Sequence, residues 1–270
     1  MADRYGVIGH PVAHSRSPWI HAQFARATRQ AIEYGAIDAP PEKFAREVER
    51  FRASGGRGLN VTLPFKGQAF ELCAQTTPRA GEAQAVNTLV LDRERIFGDN
   101  TDGVGLVRDL VDNLGFGLAH ARILLLGAGG AAQGVLAPLA QAGPAVLVVA
   151  NRTPARAQSL AARSPGASAC GFAELAGREF DLVVNATSAG LGGELPPLPH
   201  ALFGAGALAY DMVYGRETEF LAMARAAGAR ASDGLGMLVE QAAEAFFFWR
   251  GVRPRTTDVL AALRRRIDAA

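Results

Sequence analysis

The 270-residue sequence predicts an α/β protein of two domains, and three observations carry that prediction. Short apolar β-like runs alternate with helix-periodic segments along the chain, the pattern of βαβ units and of mostly parallel sheets. The alternation restarts near residue 121, with apolar runs suited to a sheet buried on both faces. A chain of this length, 49% hydrophobic, can fill one large or two ordinary cores.

In the first series, strands are expected at 4–9, 31–38, 58–63 and 86–92, with helices over 18–29 and 41–54. Pro40 and Pro41 stand at the start of the second helix, where proline is tolerated. In the second series, strands are expected at 122–127, 145–150, 180–185 and 207–212, with helices over 131–142, 154–163 and 218–227 between them. A long, largely apolar helix over 235–250 and a last one over 256–268 follow. The expected organisation is a first domain over 1–101, completed by 237–270 returning to it, and a second over 102–236.

Composition excludes several classes. The net charge is +2, and the cluster Arg264-Arg265-Arg266 reads as a solvated helix face. No basic stripe interleaves with aromatics, which argues against nucleic-acid binding. The N-terminus "MADRYGVIGH" is charged and enters a strand at once, unlike a signal peptide, and no apolar run approaches the roughly 20 residues of a membrane span. Cys73 and Cys170 lack CxxC spacing and fit thiols in a reducing compartment better than a disulfide or zinc site. A cytoplasmic protein without a metal, acting as a monomer or homodimer, is expected.

The stretch "LLLGAGGAAQG" places G-x-G-x-x-A at Gly127, Gly129 and Ala132, after an apolar strand and at the opening of a helix. Gly127 permits the tight turn, Gly129 lets backbone approach a pyrophosphate, and Ala132 allows close helix–strand packing. Ala128, Gly130 and Ala131 complete the loop. A dinucleotide fold of Rossmann type follows. The next strand ends in "ANRTPAR". An acid there would bind the ribose 2′-hydroxyl of NAD, but the chain offers Asn151, Arg152, Thr153 and Arg156. Arginine matches a phosphate with a rigid donor fork, so the cofactor expected is NADP. Thr187 and Ser188 in "NATS", and Met212 and Tyr214 in "YDMVY", end further strands along that cofactor. "ATSAG" also resembles a hydrolase nucleophile elbow around Ser188. The only later histidine, His200, precedes Asp211 and Asp233, which is the wrong order for the triad.

Only two of the 28 basic residues are lysines. Lys43 lies in an amphipathic helix, whereas Lys66 ends "NVTLPFK". Arginine keeps its proton in proteins and lysine can give one up. Hydride transfer from an alcohol needs a group that takes the hydroxyl proton, a role open to Lys66. Polar groups stand where strands run out: Asn60 and Thr62 on one strand face, Asn87 in "AVNT", and Asp99 to Asp102 in "GDNTDG". Ser15 and Ser17 in "HSRSPW" precede a helix whose free N–H groups suit a carboxylate, and N-capping is the other reading of both. Asp102 likewise fits the cap of a helix over 103–114, and His14 a loop-orienting role.

Together these segments resemble the shikimate dehydrogenase family. The matching stretches are "HSRSP", "NVTLPFK", "AVNT", "GDNTDGVG", "GAGGAA", "NRT", "NATS", "YDMVY" and "DGLGMLVEQA", in the family's order through nearly the whole chain. The resemblance implies an N-terminal substrate domain and a doubly wound NADP domain. It also implies reversible NADPH-dependent reduction of 3-dehydroshikimate to shikimate in aromatic amino-acid biosynthesis. It would assign the substrate carboxylate to Ser15 and Ser17, and the ring hydroxyls to Asn60, Thr62, Asn87, Asp102 and Gln241. Lys66 would be the acid/base paired to Asp102, Tyr214 would reach the substrate, and Met212 and Gly234 would flank the nicotinamide. The sequence departs from the family at Pro78, where an acid is common. A quinate/shikimate dehydrogenase using NAD or NADP is a neighbouring reading, disfavoured because no acid follows "NR". A non-catalytic NADP-binding sensor on the same fold would be expected to lose Lys66 or Asp102, and both are present.

Overall fold

A computed structural model describes residues 2–187 and 197–269. The chain divides into two compact units, one of Met1–Gly105 with Val239–Arg266, the other of Leu106–Leu238 with Ile267–Ala270. The fold class expected from sequence is the one observed.

The first unit carries a six-stranded sheet in the order β2-β1-β3-β5-β6-β4, from β1 (Asp3–Gly9), β2 (Ile32–Asp38), β3 (Gly56–Val61), β4 (Gln75–Thr76), β5 (Thr88–Leu91) and β6 (Ile96–Asp99). β1 runs parallel to both β2 and β3, but β5 is antiparallel to β3 and to β6. With β4 parallel to β6, parallel pairs outnumber antiparallel ones three to two, so the mostly parallel sheet expected is observed, with β5 as its antiparallel member. β5 and β6 form a hairpin closed by Asp92 and Arg95, whose backbone N–H and C=O pair at 3.0 Å. The loop "DRER" lacks the Gly or Asn-Gly signal that marks most hairpins, and β6 is four residues long, so neither was legible. Helices α1 (Ser17–Thr28), α2 (Phe44–Ala53), α3 (Lys66–Leu72) and α4 (Pro78–Ala83) connect the strands. α3 and α4, at seven and six residues, are too short to show helical periodicity. The core beneath the sheet includes Ile8, Phe44, Leu59, Phe65 and Leu89, each 2% exposed or less. Full burial of such a side chain contributes about 2 kcal/mol.

α5 (Asp102–Arg108) carries the chain out of the first unit and continues as one π-helical turn, Asp109–Asn113. The second unit is a parallel six-stranded sheet in the order β12-β11-β10-β7-β8-β9. Its strands are β7 (Arg122–Leu126), β8 (Val146–Ala150), β9 (Ala167–Cys170), β10 (Phe180–Asn185), β11 (Phe203–Asp211) and β12 (Arg230–Asp233), joined in part by α6 (Gly130–Gln141), α7 (Pro154–Ala161) and α8 (Glu219–Ala226). Counted within this unit the order is 6-5-4-1-2-3, the doubly wound dinucleotide-binding topology, whose switch point lies between β7 and β10. Burial alternates as two-sided covering requires. Ile123, Leu125, Val149, Leu182 and Val184 pack into one core, and Leu124, Leu126, Val148 and Val183 into the other. The edge strands β9 and β12, "ASAC" and "RASD", have no apolar run and escaped the sequence reading.

α9 (Leu235–Arg250) returns the chain to the first unit, and α10 (Thr257–Asp268) follows. Asp102, set by the sequence reading at the start of the second domain, belongs to the first unit. Among the described residues, no helix is long and apolar enough to cross a membrane. Cys73 and Cys170 are free thiols, and burial pushes the Cys73 thiol up to about 12.

Candidate functional site

In the first unit the polar groups converge where β1, β3 and β6 end and the antiparallel β5 begins. The strand "GLNV" stops at Val61, one residue before Thr62, whose N–H bonds Ile8 O at 3.0 Å. Gly9 makes room for Thr62, since a Cβ there would lie 2.3 Å from Thr62 Cγ2. The chain then turns through Leu63 and Pro64, and Lys66 opens α3.

Lys66 Nζ donates to Asp102 Oδ2 at 2.6 Å. The two side chains are 15% and 7% exposed, so the carboxylate is nearly out of water and requires a partner. Its other oxygen, Oδ1, accepts from Asn87 Nδ2 at 2.8 Å. The same amide reaches Thr101 Oγ1 at 3.0 Å and, more weakly, Gln241 Oε1 at 3.4 Å. Asn87 Oδ1 in turn accepts from Thr101 N at 2.9 Å. Asp102 is the first residue of α5, and its own N–H bonds Asn100 Oδ1 at 3.1 Å. Lys66, Asp102, Asn87 and Gln241 are thus joined in one network, with Lys66 and Gln241 still partly open to solvent.

Asn60, like Asn87, is tied into the scaffold. Its Oδ1 accepts from Tyr34 OH at 2.7 Å, and its Nδ2 donates to Thr88 Oγ1 at 3.1 Å and to Asn87 O at 3.3 Å. Both amide hydrogens are used inside the scaffold, and the residue is 5% exposed. Tyr34 carried no sequence signal. It lies flat on His21, with ring centroids 4.2 Å apart and planes 6° from parallel. His21 is fully buried, and burial takes its pKa from 6.5 down to about 3, with nearby Asn60 opposing in part.

As pH falls below 6.5, an unfolded chain binds a proton at this histidine that the folded chain refuses. Stability is therefore full above that value and declines toward pH 3, by about 1.4 kcal/mol per unit from this group. His21→Phe keeps the stacking and removes the proton. Its denaturation midpoint should change less than that of the wild type between about pH 7 and about pH 5, and equal changes in both proteins would contradict this.

Ser17 is the first residue of α1 and is buried, while Ser15 is half-buried and accepts from Ser17 N at 3.3 Å. The N-cap position belongs to Arg16, and no side chain caps the helix. Ser17 is therefore not the cap, while Ser15 Oγ takes the first N–H of the helix from one position before the N-cap. His14 is exposed.

In the second unit the glycine loop follows β7 directly. Gly127 has φ +106, and a Cβ on it would lie 3.0 Å from Ala186 O, so glycine is required there. Gly129 is the N-cap of α6 without a side-chain cap, and a Cβ on Gly129 or Gly130 would meet nothing within 4 Å. Open space therefore fronts uncapped N–H groups, a cradle that fits a pyrophosphate. Ala128 and Ala131 are half-buried beside it, and Ala132 is fully buried against the sheet.

At the end of β8, Asn151 Nδ2 donates to Thr153 O at 3.1 Å. Arg152, Thr153 and Arg156 are exposed, and neither arginine forms an ion pair among the described residues. Two free guanidinium groups at this strand end fit a 2′-phosphate. Thr187 Oγ1 donates to Asn185 Oδ1 at 2.7 Å after β10, whereas Ser188 lies outside the described residues. Met212 N donates to Asn185 O at 3.0 Å, and Gly234 is packed so tightly that a Cβ would lie 2.6 Å from Met212 O. Tyr214 follows, half-buried. All of these stand at the carboxyl ends of parallel strands, where ligands of open α/β sheets bind.

Three family models match the chain: shikimate dehydrogenase substrate binding domain over residues 7–89, shikimate / quinate 5-dehydrogenase over 109–191, and shikimate 5′-dehydrogenase C-terminal domain over 234–264. A shikimate dehydrogenase (NADP(+)) of Methylobacillus flagellatus is 60% identical, covering 97% of this chain and 99% of its own. Among solved structures, an Ael1 enzyme from Pseudomonas putida is 50% identical with TM-score 0.92, covering 97% of this chain and 98% of that one. Shikimate 5-dehydrogenase from Thermus thermophilus, in complex with NADP(H) and shikimate, is 38% identical with TM-score 0.87, covering 97% of this chain and 99% of that one.

Proposed function

This chain belongs to the shikimate dehydrogenase family, and from that premise we propose that Lys66 and Asp102 form its acid/base pair. The activity is the NADP-dependent interconversion of 3-dehydroshikimate and shikimate, the reaction of aromatic amino-acid biosynthesis for which its relatives are named. The observation that carries the assignment is the 2.6 Å bond from Lys66 to Asp102 within the hydrogen-bonded network of Asn87, Thr101 and Gln241.

NADP supplies a ring that accepts or returns hydride. The protein's share is to hold the alcohol and move its proton. In the oxidative direction, unprotonated Lys66 Nζ takes the proton from the hydroxyl at the reacting carbon. The C–H electron pair leaves as hydride and the carbonyl forms. In reverse, the ammonium of Lys66 returns the proton to the carbonyl oxygen. Asp102 keeps the amine in line and accepts from a neighbouring ring hydroxyl. Thr62, Asn87 and Gln241 hold the remaining hydroxyls. Ser15 and Ser17, beside the uncapped start of α1, bind the carboxylate. Asn60 works beside Asn87 at the hydroxyls, and both side chains are held in place by bonds within the scaffold. We place the reaction in the cytoplasm, a reducing compartment that suits the free thiols Cys73 and Cys170.

Incubation of 3-dehydroshikimate and NADPH with the purified protein should yield shikimate on chromatography. NADPH consumed without shikimate would overturn the substrate assignment. The cofactor choice rests on Arg152 and Arg156. Replacing both with Gln should raise KM for NADP by roughly ten- to a hundredfold and leave KM for NAD almost unchanged. An equal rise for both cofactors would mean that the arginines do not read the 2′-phosphate.

A further inference from the structure

We propose that Arg79 is a positioning residue for this reaction, fastening the turn that delivers Asp102 to the helix face that delivers Gln241. The inference rests on the assignment of Asp102 and Gln241 to the substrate site. Asp99, the last residue of β6, is fully buried. A carboxylate in that position persists only with strong partners. Arg79 supplies a two-pronged grip: Nε donates to Oδ1 at 2.7 Å, and Nη2 donates to Oδ2. Thr77 Oγ1 and Asn100 N also donate to Oδ1, at 2.5 and 2.8 Å. The bond from Asn100 N sets the start of the turn. Asn100 Nδ2 then ties to Ala85 O, and Asn100 Oδ1 receives Asp102 N. Asp99 is thus the footing of the three residues that end in the acid partner of Lys66.

The remaining arm of the guanidinium points elsewhere. Arg79 Nη1 donates to Glu244 Oε1 at 3.1 Å, and Glu244 Oε2 accepts from Arg253 Nη2 at 2.6 Å. Glu244 stands three residues after Gln241 on α9, on the same helix face. One planar group therefore references the height and rotation of α9 to the Asp99–Asp102 turn. Lysine could match the charge, but not both arms at once. The fold alone needs only that Asp99 be neutralised. The second arm matters where Asn87 must meet Thr101, Asp102 and Gln241 together.

The test is steady-state kinetics with shikimate and NADP on the wild type, Arg79→Met, Arg79→Lys and Glu244→Gln, with shikimate binding followed by calorimetry. Arg79→Met should raise KM for shikimate and lower kcat, together by roughly ten- to a hundredfold in kcat/KM, with KM for NADP unchanged. Arg79→Lys should lie between, and adding Glu244→Gln to Arg79→Met should cost little more than Arg79→Met alone. A role in stability alone would reduce the active fraction and the melting temperature and leave both KM values as they were, which would overturn the proposal. If Arg79→Met does not fold, Arg79→Lys and Glu244→Gln decide by the same criterion. A wild type that turns over no shikimate would sink the underlying reading of the site. A wild type that does, with variants of unchanged shikimate KM and Kd, would sink only the clamp.

Discussion

Lys66→Ala should lower kcat for shikimate oxidation by about 10²- to 10⁴-fold, the usual contribution of a positioned acid/base group, while shikimate still binds. The substitution removes the amine 2.6 Å from Asp102 Oδ2 and leaves Asn87, Thr101 and Gln241 with their mutual bonds. Binding therefore persists and the proton has nowhere to go. Lys66→Arg separates charge from chemistry. It returns a cation beside the nearly buried Asp102 carboxylate, but a guanidinium stays protonated, so turnover should remain low. Asp102 also loses its cation in Lys66→Ala, and some loss of melting temperature is expected that Lys66→Arg recovers. Near wild-type turnover in either variant would remove Lys66 from the chemistry.

Gly236→Ala should destabilise the second unit by about 3 kcal/mol, although it adds one methyl to a helix and alanine is the better helix former. Gly236 lies in α9, and a Cβ there would sit 1.8 Å from Asp109 Oδ1. Asp109 is 2% exposed in the π-helical turn and cannot retreat into water. Its carboxylate accepts from Tyr210 OH at 2.6 Å and from Asn113 Nδ2 at 2.9 Å, and Tyr210 OH accepts from Met237 N at 3.3 Å. Pushing Asp109 aside strands a fully buried tyrosine hydroxyl as well as straining the helix. Gly117→Ala is the control, because a Cβ there meets nothing within 4 Å. Thermal melts should show a clear drop for the first and almost none for the second. Equal melts would mean that the helix and the turn tolerate a shift.

What the sequence disclosed follows from the physics of each signal. The doubly wound sheet was legible because its inner strands are apolar on both faces and because glycines at 127 and 129 follow one of them. The hairpin of β5 and β6 was not legible, since its charged loop carries no turn signature and β6 is too short to show an alternating pattern. Lys66 was visible through its rarity, and Asp102 through its motif. Their pairing across 36 positions was visible only through the family resemblance. Tyr34, His21, Arg79 and Tyr210 act through long-range contacts that leave no local pattern. Asn60 and Asn87 were visible through their motifs, but the partners that hold their amides, Tyr34, Thr88, Thr101 and Asp102, emerge only from the fold.

The most direct test follows NADPH absorbance with purified protein, NADP and shikimate, with quinate and with NAD run alongside. Fast reduction of NADP with shikimate, and little with quinate or with NAD, is the predicted result. NADP binding without turnover of shikimate would contradict the account. The glycine loop and the two arginines would then stand as a cofactor site, and Lys66 with Asp102 would be an ion pair without the proton-transfer role assigned to it.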